Sequence, residues 1–167
     1  MIQSVKPAPT DETDGLPMPK RIWAVISVGF ALCMSVLDVN IINIVLPTLS
    51  HDFGTSPAVT TWIINGYQLA IVVSLLSFSA LGEIIGYRKV YLSGIGLFCI
   101  TSLICALSDS FWTLTIARIF QGFSASAITS VNTAQLRYIY PKSQLGRGMG
   151  INAMVVAISA AAGPSVG

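Results

Sequence analysis

Two charged residues stand inside stretches that otherwise carry none. Asp38 lies in an apolar run from Ile22 to Leu46, and Arg118 in a run from Phe111 to Val131. A charge in a membrane helix costs about 2.5–3.5 kcal/mol on insertion scales, so each calls for a partner or a task. Asp38 is eight residues before the end of its run, and Arg118 is seven residues after the start of its own. At about 1.5 Å per residue, both lie roughly 10–12 Å below the same face. Asn65, Gln68 and Gln121 fall in nearly the same layer, with Asn40 and Asn43 slightly above it. Gln121 is three residues from Arg118, and Gln68 three from Asn65, so each pair shares a helix face. One reading is a polar, water-accessible layer lining a path through a helical bundle. The other is a structural ion pair with interhelical hydrogen bonds that lock the helices.

The elements that must position these groups follow from composition. Charged residues make up 10% of the chain and apolar ones 53%, and the mean hydropathy is +0.75. A soluble domain carries about 25% charged residues, so lipid rather than water must cover most of this surface. The net charge is +2 and the basic residues never cluster beyond a pair, which excludes nucleic acid as a partner.

Residues 1–20, with Pro7, Pro9, Pro17 and Pro19 among Asp11, Glu12 and Asp14, read as a disordered tail. Five spans are expected after it, at about 22–46, 59–82, 90–107, 111–133 and 149–167, the last still apolar where the chain stops. Each complete run is long enough to cross a hydrocarbon core of roughly 30 Å. None alternates like a membrane strand, so the fold class is an all-α polytopic transmembrane helical bundle.

Eight of the nine Lys and Arg residues then lie on one side: Lys6, Lys20, Arg21, Arg88, Lys89, Arg137, Lys142 and Arg147. The loops around His51–Asp52 and Asp109 carry none. The positive-inside rule makes the basic side cytoplasmic, with the N-terminus on it, as in a multi-pass inner-membrane protein.

Cys33, Cys99 and Cys105 read as small packing residues, since they show no CxxC spacing and His51 is the single histidine. No metal and no cofactor are expected. No Ser/His or paired-Asp arrangement occurs at membrane depth, so an enzyme is not expected either. Small residues in Ser124–Ala127 and Ser159–Ala162 permit close helix packing. Gly163–Pro164 invites a kink, either purely structural or used in gating.

Five segments in register resemble the major facilitator superfamily, and within it the fourteen-span drug:proton antiporters of the EmrB/QacA type. Leu37–Pro47 is similar to the family's L-D-x-T-x-x-N-x-A-L-P, with Asn40 in place of Thr and Val45 in place of Ala. Trp62–Leu69 is similar to W-x-x-x-x-Y-x-L. Ser79–Lys89 keeps Leu81, Gly86 and Arg88 of G-x-L-x-D-R-x-G-R-K, with Glu83 for the Asp, and departs at Ser79, Ile84 and Tyr87. Arg118–Gly122 matches R-x-x-Q-G, and Gly163, Pro164 and Gly167 match the start of the antiporter motif G-P-x-x-G.

The resemblance implies proton-coupled export of lipophilic compounds, with membrane lipid around the protein. A periplasmic adaptor and outer-membrane channel serve as partners for some relatives. Asp38 and Arg118 would couple the proton, and Asn40, Asn43, Asn65, Gln68 and Gln121 would line the path. Glu83, Gly86 and Arg88 would belong to a cytoplasmic latch. Superfamily members have two six-helix halves, so the chain is expected to be part of a transporter about three times longer and inactive alone. Two alternatives stay open: a carrier of metabolites, and a non-transport membrane anchor or assembly subunit.

Overall fold

The computed structural model describes residues 15–166, the side chains of 163–166 excepted. All regular elements among the described residues are helical. Helix α1 (Met18–Asp52) is 35 residues long. Its start follows from Pro17 at the cap and Pro19 in the first turn, where a missing N–H costs nothing. Met18, Pro19 and Lys20, expected in a tail, are therefore helical, and residues 1–14 lie outside the described residues. At its other end α1 continues through Pro47, which the expected span stopped short of. A helix this long is about 50 Å, more than a hydrocarbon core needs, so its ends project or the helix tilts.

A one-turn helix α2 (Pro57–Thr60), capped by the Ser56 hydroxyl, leads into α3 (Trp62–Ile85). Gly86, at φ +99°, makes the single-residue corner into α4 (Tyr87–Ala106). That conformation is open to glycine and strained for other residues. Ser110 caps α5 (Phe111–Ile139) by accepting the Thr113 N–H. A 3-10 turn, Lys142–Gln144, precedes α6 (Leu145–Val166). Most of the helices outlast the apolar runs because backbone hydrogen bonding continues past the lipid-facing segment that hydropathy marks.

Helix α5 is the axis of the bundle. It packs along α3 and α4 and touches α1, while α6 packs on α1. Among the described residues, four segments are long and apolar enough to cross a membrane: Met18–Asp52, Pro57–Ile85, Tyr87–Ala106 and Lys142–Ala162. Helix α5 is not among them by composition, although a span was expected at 111–133. Its polar side chains, Arg118, Gln121, Ser124, Ser126 and Asn132, are buried against neighbouring helices rather than presented to lipid.

Its course is set by two ties, one to the chain just before α1 and one to α1 itself. The Leu16 N–H donates to the Ile139 carbonyl (3.1 Å), and Arg118 reaches Asp38. The two helices are thus antiparallel and in register along the bundle. Near the second tie, glycine permits a close crossing of α3 and α5. A Cβ on Gly122 would collide with the Tyr67 carbonyl oxygen, and one on Gly66 would press on Ile119.

Candidate functional site

The Asp38 carboxylate sits between two donors from successive turns of α5. Arg118 Nη1 donates to Oδ2 at 2.6 Å, and Gln121 Nε2 donates to Oδ1 at 3.2 Å. The side chains of Arg118 and Asp38 are 9% and 16% exposed, and Gln121 is fully enclosed. The spacing of three residues on α5 places both donors on one face, as the sequence suggests.

Other helices complete the cluster. From α4, the Cys105 thiol donates to Gln121 Oε1 at 3.5 Å. From α3, the buried Tyr67 ring brings its phenol within electrostatic range of both Asp38 and Arg118. Arg118 Nε is buried with no hydrogen-bond partner, so the guanidinium keeps one donor unspent. Apolar clusters flank the layer: Ile42, Ile63 and Leu114 on one side, and a larger group that includes Val28, Ala31 and Ile128 on the other. Desolvating two charges costs several kcal/mol per ion, and here charge pairing plus the Gln121 hydrogen bond offsets it.

The remaining expected path residues do not join this cluster. Asn40 and Asn43 turn back on α1 and donate to the carbonyls of Val36 and Val39, each at 2.9 Å. Asn65 and Gln68 are exposed on α3. Tyr67, two residues after Asn65, faces the opposite way and is the residue that α3 contributes. Glu83 and Arg88 are exposed on either side of the Gly86 corner and form no ion pair among the described residues. Gly163 and Pro164 belong to the last turns of α6, where side chains are outside the described residues, and Gly167 lies outside them altogether.

Tyr67 and Cys105 are the members that sequence reading passed over. Tyr67 stands in the quoted Trp62–Leu69 segment, so its position was visible but its facing was not. Cys105 looks like any small apolar residue until α4 is laid against α5.

The chain is similar to curated proteins whose names are those of carriers. It is 51% identical over 95% of its length to the uncharacterized transporter YebQ of Escherichia coli K12. It is 32% identical over 89% to the riboflavin transporter RibZ of Clostridioides difficile, and 31% over 89% to the drug efflux pump JefA of Mycobacterium tuberculosis. The alignments cover 35%, 33% and 30% of those proteins, so the chain spans about a third of the length of the curated relatives it matches. The family model of the Major Facilitator Superfamily matches residues 28–167, which takes in α1 from its third turn onward and every helix after it. A helical bundle with an Asp–Arg pair across α1 and α5, and this match over most of its length, make the chain a member of the Major Facilitator Superfamily.

Proposed function

We propose that this chain forms part of a secondary active transporter that exports lipophilic drugs or other toxic compounds in exchange for protons. The observation that carries the reading is the buried Asp38–Arg118–Gln121 cluster, an ionisable pair held between apolar layers. Relatives named for drug efflux, tetracenomycin C export and methylenomycin A resistance support the substrate class. In this reading Asp38 takes up and releases the driving proton, and Arg118 is its counter-ion.

The coupling follows from burial. Protonating Asp38 removes the negative partner of an Arg that is 7% exposed. Breaking a buried pair by removing one partner costs about 3–5 kcal/mol. Proton uptake therefore favours a rearrangement that wets Arg118 or gives it another acceptor, and its unpaired Nε is available for one. An alternating-access cycle uses that difference. The basic end of the bundle is cytoplasmic in this reading, in a cytoplasmic membrane. A membrane-impermeant thiol reagent should label Asp109→Cys but not Arg88→Cys in intact cells.

The test is efflux of ethidium from an efflux-deficient bacterium that expresses the complete gene product carrying residues 1–167. Protonophore-sensitive efflux in the parent and its loss in Asp38→Asn are the expected results. Efflux that survives Asp38→Asn would move the proton site elsewhere. A second reading, a metabolite carrier, is favoured by the riboflavin transporter among the relatives. Riboflavin flux without ethidium flux would select it.

A further inference from the structure

A carboxylate and a carboxylic acid make different demands on their neighbours. The first only accepts hydrogen bonds, and the second must also place one O–H. Four helices bring titratable or charged groups to this layer: Asp38 from α1, Tyr67 from α3, Cys105 from α4 and Arg118 from α5. Helix α6 packs on α1 and brings none to this depth, its one ionisable residue, Arg147, being near its start.

Arg118 has no acceptor in its guanidinium and stays charged, so it can only donate to Oδ2. A proton arriving on Asp38 is therefore accommodated on Oδ1, the oxygen that faces Gln121 Nε2. There it would meet an N–H donor head-on, in a place where Gln121 is fully enclosed and water cannot separate the two.

We propose that Gln121 reads the protonation state of Asp38 by turning its carboxamide over, and that Cys105 keeps the amide satisfied in both orientations. With Asp38 charged, Nε2 donates to Oδ1 and Oε1 accepts the Cys105 S–H, as observed. With Asp38 protonated from water, Oε1 turns to accept the Oδ1–H, and Nε2 turns to the Cys105 sulfur, which accepts. The terminal torsion of a glutamine is soft and nearly two-fold, so the turn needs no backbone movement. A thiol both donates and accepts, weakly, which suits a position that must serve either face of the amide. The functional consequence rests on the proton-coupled reading above, in which Asp38 passes between its two forms on every cycle. Cys105 is then a positioning residue, acting through Gln121.

The S–H stretch of Cys105 reports the turn directly. We would record infrared difference spectra between high and low pH on the purified complete gene product in lipid vesicles. A protonated-carboxyl band that vanishes in Asp38→Asn marks proton uptake. The expected result is that the S–H band assigned by its loss in Cys105→Ala moves to higher frequency together with that carboxyl band, as the thiol stops donating. A carboxamide change should accompany both and vanish in Gln121→Met. In transport, Cys105→Ala should lose proton-driven efflux by about tenfold, the effect of one unpartnered buried polar group. Cys105→Ser, which also donates and accepts, should restore it. A carboxyl band from Asp38 with an unmoved S–H band would overturn the inference and leave the proton site standing. If no carboxyl band responds to Asp38→Asn, the proton site and the inference fall together. The S–H measurement uses the unaltered site, so it decides the matter even if Gln121→Met does not fold.

Discussion

Between the Asp38 level and the basic end of the bundle, one buried cluster joins residues from Val28 on α1 to Tyr140 after α5. On the far side, among the described residues, the buried cluster is Ile42, Ile63 and Leu114. The ties at the basic end link elements distant in sequence. Tyr91 Oη donates to the Ser27 carbonyl at 3.0 Å, and Arg21 Nη1 donates to Gln144 Oε1 at 3.0 Å. Gly94 lies against Ala127 and Ile128, and Gly148 against the Tyr140 ring. At the far end the polar ties stay within one loop: Ser50 to the Thr55 carbonyl and Thr55 to Thr60. In lipid, helix association depends on packing and hydrogen bonds rather than on water exclusion, so this asymmetry is an asymmetry of cohesion. The polar layer sits where the well-joined half ends. Separating the helices on the far side breaks fewer contacts than separating them at the basic end.

Five variants break or sharpen that contrast, each measured as unfolding of the purified complete gene product. Arg118→Gln has the largest expected effect, about 3–5 kcal/mol, because it strands Asp38 between the two apolar zones. The comparison fails if the loss is under about 1 kcal/mol. Gly122→Val should follow at about 1–3 kcal/mol, since its branched side chain meets the Tyr67 backbone rather than a movable side-chain tip. Ile128→Ala and Ile42→Ala delete the same atoms in the two halves. We expect about 2 kcal/mol for the first and less for the second, because Ile128 belongs to the larger cluster. Equal losses would show that the halves are equally cohesive. Glu83→Gln combined with Arg88→Gln should stay within about 0.5 kcal/mol, as both side chains are exposed and unpaired. A larger effect would mean that the corner at Gly86 carries a charge network the two residues do not show.

Much of the bundle was legible in the chain itself. The apolar runs marked helices, and the alternation of basic loops marked their succession. The expected depth of Asp38 and Arg118 matched them to one another before any contact was known. Gln121 was placed on the Arg118 face by its spacing. Other features could not be read the same way. Asn40, Asn43, Asn65 and Gln68 were grouped with the layer by depth, yet depth says nothing of which way a side chain points from its helix. The span expected at 111–133 placed Arg118 and Gln121 in a polar layer, but hydropathy averages over a helix and did not show that Ser124, Ser126 and Asn132 of α5 are buried as well. The start of α1 was read as part of a tail, because Pro17 and Pro19 signal both loop and helix start.

What the sequence determined alone is what depends on local composition: residence in a membrane, helical elements, their order, and the matching levels of Asp38 and Arg118 along their helices. What the tertiary structure decided is how each helix is rotated about its own axis. That rotation brings Tyr67 and Cys105 to Asp38 and turns Asn65 and Gln68 away. The rotation of one helix is set by the knobs and gaps of its neighbours, such as the Gly122 notch that admits the α3 backbone. No single helix contains that information, because it belongs to the packing between them.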